Sequence, residues 1–420
     1  MPRTHVTAFG GKTSAGGTSQ KTCHELCCEK LRELGFAERT FVSFCLCAFP
    51  LPCVKIINKQ KMKRRIFLNI FLVLALLFSA CHKKEMTVTE DLPPQQDMGA
   101  SSVYVLCEGL FNSNNSTLAF CDYTNNKITY DMFLAVNNRG LGDTGNDLQL
   151  YGSKLYCVVN VSETVEIMSK DAHSLRQISL SGRQPRRIAF HEGHAFVCCF
   201  DGAVVKIDTN TLEVTDMAQA GSNPDGICIA NGKLYVANSG GLNNPNYGHT
   251  VSVFDPNTLQ LLKEIEVIIN PTLIKADNYG NVYVLSNGNY GLFTPNVPSA
   301  LQRIDSQSDE VVKTYDFPIT NFTICNDKLY FYFYNYGSQQ SQIQIMDVVT
   351  ENIVNNHFVK DDTKINAPYG IEVNPANGDV YISDAYQFTT NGDVYCFGAD
   401  GHKKFSFEVG VNPSKFVILP

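Results

Sequence analysis

The feature that most constrains this chain is a short sequence pattern that recurs seven times. Each copy places an aromatic residue between apolar residues just after a turn, often with Lys at the start of the strand. The seven aromatic anchors are Tyr104, Tyr156, Phe196, Tyr235, Tyr283, Tyr330 and Tyr381, and they lie 39 to 52 residues apart. A repeat of about 40–50 residues built from short strands is typical of the blades of a β-propeller.

Two further patterns complete each repeat. After the anchor comes a run of alternating apolar residues that ends in an Asp turn, as in Val251–Asp255. Before it, Asn or Gly lies close to a Pro and an apolar run, as at Pro224 and Pro271. Asp next to Thr, Asn or Gly favours hairpin turns, and one more strand follows each turn. The sequence therefore predicts an all-β, seven-bladed propeller over residues 102–420, with four antiparallel strands per blade.

The two ends of the repeat region are complementary. No Pro-initiated strand precedes Val103–Cys107, whereas an unassigned strand, Lys415–Leu419, remains at the C-terminus. A ring of sheets must close, because an open ring leaves two unpaired sheet edges. We therefore expect Lys415–Leu419 to pair with Val103–Cys107 as the innermost strand of the first blade.

The segment before the repeats has the pattern of an export signal. Met62–Arg65 is basic, Ile66–Phe78 is apolar, and Ser79 and Ala80 precede Cys81. This order is typical of a secretory signal, and the apolar run is too short to span a membrane. Its end resembles a bacterial lipobox, which predicts lipidation of Cys81 and a membrane anchor. An ordinary cleaved signal with an incidental Cys is the alternative.

Composition supports this division of the chain. Residues 1–80 hold 12 Lys and Arg against 4 Asp and Glu, whereas residues 81–420 hold 22 against 37. We interpret 1–61 as an upstream extension outside the native protein, 62–80 as the signal and 81–101 as a flexible polar tether. The acidic excess of the folded part argues against a nucleic-acid partner.

Long loops between the second and third strands of five blades should lie on one face, together with the loops that lead into the inner strands. Those five loops total 51 residues, with no Lys or Arg, and are rich in Asn, Gly, Tyr and Phe. Aromatic rings and amides suit a bulky, largely uncharged ligand such as a sugar, a corrinoid or a peptide. The alternative is that these are ordinary surface loops. The candidate ligand-binding residues there are Phe111, Asn114, Asn246, Tyr247, Asn289, Tyr290, Phe293, Tyr334, Tyr336, Tyr386 and Phe388.

A second candidate group lies where inner strands begin or at adjoining axial positions. These residues should either meet a ligand at the mouth of the central channel or pair with one another. They are Arg139, Asp143, Asn146, Asp147, Arg186, Arg187, Asp225 and Tyr369.

No motif for catalysis, a metal or a cofactor is present in residues 81–420: G-x-S-x-G, P-loop and C-x-x-C are all missing. The sequence therefore predicts neither a catalytic residue, a metal site nor a cofactor. The eight cysteines of the repeats fall in strand patterns and are expected to be buried free thiols. Cys198 and Cys199 are adjacent and should face opposite sides of a strand.

Tyr104–Phe111 (YVLCEGLF), Gly145–Leu148 (GNDL) and Lys154–Tyr156 (KLY) resemble the YncE-like seven-bladed propeller lipoproteins of Gram-negative outer surfaces. The resemblance covers residues 102–420, and the BtuG-type branch of these proteins captures cobalamin and passes it to a TonB-dependent outer-membrane transporter. It implies a non-catalytic binding protein, lipid-anchored to the outer membrane and surface-exposed. The alternatives are a metal-dependent, lactonase-like propeller enzyme and a protein-docking platform. A quinoprotein is disfavoured because those propellers depend on Trp, which this sequence lacks.

Overall fold

The computed structural model describes residues 85–86 and 100–420, and these residues form seven β-sheets arranged in a ring. The predicted upstream extension, the signal and Cys81 lie outside the described residues. Each sheet is one blade with four antiparallel strands, to which blade 1 adds a fifth, and the innermost strand of each blade contacts the innermost strands of its neighbours around the central axis. The predicted seven-bladed, all-β propeller is confirmed.

The strands are numbered in chain order, and blade 1 is the only described sheet with a fifth strand, β1 at its outer edge. From the inside outward, blade 1 contains β29 (Pro413–Leu419), β2 (Ser102–Cys107), β3 (Thr117–Asp122), β4 (Lys127–Thr129) and β1 (Glu85–Met86). Blade 2 contains β5 (Gly145–Tyr151), β6 (Lys154–Val159), β7 (Thr164–Ser169) and β8 (Ser174–Ser179). Blade 3 contains β9 (Pro185–His191), β10 (His194–Cys199), β11 (Ala203–Asp208) and β12 (Glu213–Gln219). Blade 4 contains β13 (Pro224–Ala230), β14 (Lys233–Asn238), β15 (Thr250–Phe254) and β16 (Leu261–Glu266). Blade 5 contains β17 (Pro271–Ala276), β18 (Asn281–Ser286), β19 (Ala300–Asp305) and β20 (Glu310–Thr314). Blade 6 contains β21 (Asn321–Cys325), β22 (Lys328–Asn335), β23 (Gln340–Asp347) and β24 (Ile353–Asn355). Blade 7 contains β25 (Pro368–Val373), β26 (Val380–Asp384), β27 (Asn391–Phe397) and β28 (Lys403–Val411). One short helix, α1 (Met132–Asn137), lies between β4 and β5, and the carboxylate of Asp131 caps it by accepting from the Leu134 N–H at 3.1 Å.

The ring closes as the sequence predicts. β29 pairs with β2 in antiparallel register, with Val103 opposite Ile418 and Leu106 opposite Lys415. The pairing continues by one residue beyond the predicted range at the N-terminal end of β2, where Ser102 lies opposite Leu419. The C-terminal strand thus leaves neither edge of the ring unpaired at the axis.

A common local geometry begins most inner strands. The residue before the strand-opening Pro has a left-handed backbone in four blades, at Gln184, Asn223, Asn270 and Asn412 (φ 51°, 45°, 62° and 54°). Asn tolerates this conformation better than most side chains. Pro then takes the first strand position, where a missing N–H costs no ladder hydrogen bond. In six blades the register shifts just after this point, so a bulge leaves one or two residues unpaired near the start of the inner strand.

The core of the propeller lies between the blades. Seven clusters of buried apolar side chains occur, one at each contact between neighbouring blades, and each contains one of the seven aromatic anchors. Burying one such ring stabilises the fold by about 2–3 kcal/mol. Tyrosine anchors also bond across the contact: the Tyr104 hydroxyl donates to the Lys170 carbonyl at 2.9 Å, and that of Tyr235 donates to Asp309 at 2.5 Å.

The cysteines behave as predicted. All eight in the described part of the chain are free thiols; seven are buried and Cys325 is half-buried. Cys198 packs between blades 3 and 4, whereas Cys199 packs between blades 2 and 3. Adjacent residues therefore face opposite sides of β10, as the strand pleat requires.

Candidate functional site

The loops that follow the second strands lie on the same face as those that lead into the inner strands. Backbone hydrogen bonds join the two sets: the Asn160 N–H donates to Thr144 at 2.8 Å, and the Asn287 N–H donates to Asn270 at 2.8 Å. We call this side the loop face. Its loops are unequal, because residues 200–202 suffice in blade 3 whereas residues 287–299 form the loop of blade 5.

Aromatic side chains form two groups of contacting rings on this face, one in blades 4 and 5 and one in blades 6 and 7. Ring centroids are 6.3 Å apart for Tyr247 and Tyr290, 6.3 Å for Tyr336 and Phe388, and 6.0 Å for Phe388 and Tyr369. Tyr334 packs edge-on against Tyr336 at 4.7 Å. Tyr290 and Tyr336 are close enough that Tyr290 contributes to raising the pKa of Tyr336, after burial and Tyr334. We call these six residues the aromatic crescent.

The crescent exposes two of its rings, whereas Tyr369 and Phe388 are half-buried and Tyr247 and Tyr334 are buried. Tyr290 is 60% exposed and Tyr336 is 67% exposed. Tyr290 and Phe388 have left-handed backbones, with φ of 55° and 62°, which bulky side chains rarely adopt. Such conformations cost on the order of 1 kcal/mol each and concentrate at ligand-binding sites. The blade 5 loop is fixed from inside, since the buried Asn289 side chain donates to the Pro295 carbonyl at 2.9 Å and accepts from the Val297 N–H at 3.0 Å.

Several predicted loop residues lie outside the crescent. Phe111 is exposed on the blade 1 loop, where the N–H of Asn114 donates to Asp143 at 2.8 Å. Asn246 is exposed beside Tyr247, and Phe293 is half-buried in the blade 5 loop. The Tyr386 hydroxyl is held by the carboxylate of Asp393 on β27. The Asn289 side chain forms its hydrogen bonds within the blade 5 loop.

Arg139 is not brought to the channel mouth. Its guanidinium forms an ion pair with Glu166 on β7 at 2.8 Å, donates to Ser174 on β8 at 3.1 Å and lies 4.7 Å from the Phe133 ring centre. β7 and β8 are the third and fourth strands of blade 2, away from the axis. The Gly-rich link after α1 carries the chain inward only later, at β5.

Five polar residues converge where the inner strands begin, and we call them the mouth cluster. The Arg186 Nε donates to Asp225 at 2.8 Å, its Nη1 donates to the Asn146 side chain, and its guanidinium lies 4.4 Å from the Phe200 ring centre. The Tyr369 hydroxyl donates to Glu108 at 2.8 Å. Burial raises the pKa of Glu108, against the opposing effects of the Tyr369 hydrogen bond and the Arg186 charge. Tyr369 belongs to both the crescent and the mouth cluster.

The axis below the mouth holds a cavity of about 500 Å³, lined by inner-strand residues of blades 1 to 5 and 7. Five charged residues line this axial cavity: Asp147, Arg187, Lys275, Glu372 and Lys415. Lys415 Nζ lies 3.6 Å from Asp147, and Lys275 Nζ lies 3.6 Å from Glu372. Thr323 links the second pair, since it accepts from Lys275 at 2.8 Å and donates to Glu372 at 2.9 Å.

The predicted axial residues therefore divide into two levels. Asn146, Asp225 and Tyr369 lie in the mouth cluster, whereas Asp147 and Arg187 line the cavity. Asp143 lies at the blade 1 loop instead, where it accepts from the backbone N–H groups of Asn112 at 3.1 Å and Asn114 at 2.8 Å. The sequence indicated Arg186, which lies in the mouth cluster, but it did not indicate Glu108, Lys275, Glu372 or Lys415. For two of them a signal was present: Lys275 and Glu372 each lie four residues after the strand-opening Pro, and each is opposite an aromatic anchor, Tyr283 and Tyr381.

Other features of the described residues carry less chemistry. A depression of about 560 Å³ lies in blade 6 beneath residues 357–365, where β24 is too short to cover β23. Nowhere in residues 100–420 do three or more His, Cys, Asp or Glu side chains converge as metal ligands. The described part of the chain also has no helix with the length and hydropathy to cross a bilayer.

Comparison with solved structures finds propellers at low sequence identity. A quinoprotein alcohol dehydrogenase-like protein from Bacteroides thetaiotaomicron has a TM-score of 0.56 and 16% identity, over 76% of this chain and 78% of that one. The Kuenenia stuttgartiensis hydrazine synthase (TM-score 0.49, 15% identity, 59% and 74% covered) and the computationally designed Ika8 protein (0.46, 11%, 73% and 83%) also match. The likeness to the Bacteroides thetaiotaomicron protein concerns the fold alone.

No curated protein sequence matches the chain. A family model does: the one described as a domain of unknown function, DUF5074, matches residues 101–411, which is the propeller from β2 to the end of β28. The match covers most of the chain, and the protein therefore belongs to the DUF5074 family.

Proposed function

We propose that this protein is a non-catalytic binding protein that captures a bulky, largely uncharged small molecule on its loop face. The aromatic crescent is the observation that carries this proposal. Six aromatic residues from four blades lie on the loop face, with Tyr290 and Tyr336 exposed, and the long loops around them contain no Lys or Arg. Rigid aromatic rings bind large apolar ligand faces at little entropic cost.

A corrinoid is the first candidate ligand. Its ring is broad and apolar, and its edges carry amides that can bond to the Asn side chains of the loops and to the mouth cluster. The resemblance to BtuG-type proteins independently favours cobalamin. The carboxylates of the mouth cluster support binding rather than catalysis, since Asp225 is paired with Arg186 and Glu108 accepts from Tyr369.

The binding test is a titration of the purified protein with cyanocobalamin. Binding is monitored by calorimetry or by the intrinsic fluorescence of the tyrosines, since the protein contains no Trp. We expect saturable 1:1 binding at micromolar ligand or below. A sugar such as maltoheptaose serves as a second bulky, neutral probe. Failure of cyanocobalamin with binding of the sugar would remove the corrinoid assignment, and failure of every neutral probe would remove the binding function of the crescent.

The proposed cellular role is that of a lipid-anchored protein on the outer surface of the outer membrane, which passes its ligand to a TonB-dependent transporter. The basic and apolar residues 62–78 followed by Cys81 support export and lipidation. Cys81→Ser should release the protein from the membrane fraction into the soluble fraction. Retention in the membrane fraction would contradict the anchor, and co-purification with the transporter tests the hand-off.

A further inference from the structure

The axial cavity differs from the crescent in its chemistry, and it carries a separate inference. We propose that the axial cavity binds a small organic anion through a single carboxylate, with Arg187 as the principal contact and Lys275 and Lys415 beside it. This site lies on the inner strands, below the mouth cluster, and does not depend on the function proposed for the loop face.

The charges of the cavity do not balance. Its lining includes three cations, Arg187, Lys275 and Lys415, and two carboxylates, Asp147 and Glu372, so fully ionised groups leave a net charge of +1. Charges removed from water are costly unless they are paired. One negative charge in the cavity would complete the pairing.

Arg187 is the cation that no lining carboxylate pairs with, although its charge reaches Glu108 of the mouth cluster and acts to lower the pKa of that carboxyl. Among the described residues it forms no ion pair, and its one side-chain hydrogen bond runs from Nε to the Asp225 carbonyl at 3.0 Å. Both terminal nitrogens of its guanidinium remain for a ligand. A guanidinium with two free terminal nitrogens matches the two oxygens of a carboxylate, which it binds in a planar, bidentate manner.

The two lysines are placed to contribute. Each ammonium lies 3.6 Å from its nearest carboxylate, which is longer than a hydrogen bond. Burial and the Arg187 charge lower the pKa of Lys415 to about 8, against the opposing effect of Asp147. The existing carboxylates therefore only partly compensate the lysine charges, and an added anion would interact favourably with both.

The remaining wall of the cavity favours an organic anion over a hydrated inorganic one. Leu150, Phe190, Ile229 and Ala276 line it beside the charged groups, and each of these four residues is only partly buried. A volume of about 500 Å³ lies within the range of small-molecule sites, which combine apolar walls with few polar contacts. A carboxylate attached to a compact apolar body fits both features.

Benzoate and benzamide form the test pair, because they share a shape and differ in charge. Calorimetric titration at low ionic strength should show benzoate binding at least tenfold more tightly than benzamide, and more tightly than inorganic phosphate. Arg187→Gln should weaken benzoate binding at least tenfold. Arg183→Gln is the matched control, since Arg183 pairs with Asp201 in the same blade but does not line the cavity.

A second variant acts in the opposite direction. Glu372→Gln removes a negative charge and frees Lys275, so benzoate should bind several-fold more tightly. Lys275→Gln replaces Arg187→Gln as the test if the latter fails to fold, as judged by circular dichroism. Equal affinities for benzoate and benzamide, or an unchanged affinity in a folded Arg187→Gln or Lys275→Gln protein, would overturn the site. Tighter binding of phosphate than of benzoate would overturn the carboxylate assignment.

Discussion

The aromatic crescent and the axial cavity differ in charge and in the elements that carry their residues. The aromatic crescent is neutral and apolar, and most of its members stand on loops or loop ends, such as Tyr290 and Tyr336. The axial cavity is charged, and its polar residues stand on paired inner strands, such as Asp147 on β5 and Lys275 on β17. A loop can change without disturbing a blade, whereas an inner-strand residue is held by the whole ring.

The two regions also depart from sevenfold symmetry in different ways. The crescent arises in blades 4 and 5 from long loops, where blades 2 and 3 have short ones, and in blade 6 from the longer strands β22 and β23, which flank Tyr336 and of which β22 carries Tyr334. The axial cavity arises from unequal residues at equivalent positions: opposite the aromatic anchors stand Gln149, Ala189, Cys228, Lys275, Thr323, Glu372 and Val417. The strands repeat from blade to blade, and both proposed binding regions lie where loops or side chains differ between blades. We therefore expect the two regions to bind independently.

The largest expected effect comes from removing crescent rings. In Tyr336→Ala/Phe388→Ala we expect cyanocobalamin affinity to fall at least about thirtyfold, because two aromatic contacts of about 1–2 kcal/mol each are lost. Benzoate affinity should stay unchanged, since neither residue lines the axial cavity. Calorimetric titration with both ligands measures the two affinities in one preparation.

Tyr279→Ala is the control for this variant. Tyr279 is also an exposed tyrosine, but it lies in the turn between β17 and β18 on the face opposite the long loops. Its removal should leave both affinities unchanged. A parallel loss of cyanocobalamin and benzoate binding in the crescent variant would show that the aromatic crescent and the axial cavity act as one site.

The fold could be predicted from sequence because each repeat carries redundant local signals. Anchors such as Tyr235, turns such as Asp255–Asn257 and openings such as Asn223-Pro224 all indicate the same strand order, and β29 was identified because one strand remained unpaired. The candidate sites were harder to predict. Arg139 was placed at the mouth, yet its chain segment first turns outward through α1 toward Glu166.

The composition of the loops located the crescent but not its contacts. The sequence indicated Tyr290, Tyr336 and Phe388, whereas their proximity depends on loop backbones, including left-handed residues, that no repeat pattern encodes. The pairing of Lys275 with Glu372 depends on register across the axis. Those two residues lie 97 positions apart in sequence and meet because the ring brings blades 5 and 7 close to Thr323.

An intermediate effect is expected at the axis, where ligand binding and stability should oppose each other. Lys415 faces Asp147, Arg187, Lys275 and Glu372, and burial lowers its pKa to about 8. Below pH 8 the native state holds a charged lysine at a cost, so Lys415→Met should raise the free energy of unfolding by up to about 3 kcal/mol at pH 7. Asp147 stays bonded in the variant, because the Ile188 N–H donates to it at 3.1 Å.

The pH dependence distinguishes this explanation from better packing. Between pH 8 and about 10.4 the unfolded state binds more protons than the native state, so wild-type stability rises with pH and the advantage of Lys415→Met disappears. Urea unfolding at pH 7, 8, 9 and 10 measures it, with the exposed Lys328→Met as control. The same variant should bind benzoate more weakly. A pH-independent gain would indicate packing alone.

The smallest expected effect concerns Tyr369, the residue shared by crescent and mouth cluster. Tyr369→Phe keeps the ring 6.0 Å from Phe388 and removes only the hydrogen bond to Glu108. That bond favours the ionised carboxylate, so its loss raises the pKa of Glu108 further. It destabilises the protein by about 1 kcal/mol at a pH where Glu108 is ionised, and by less at a pH where Glu108 is protonated. Cyanocobalamin affinity should change less than about threefold, since the stacking surface is intact. A tenfold loss would mean that the Tyr369 hydroxyl or Glu108 contacts the ligand. The ligand site of the aromatic crescent would then extend into the mouth cluster.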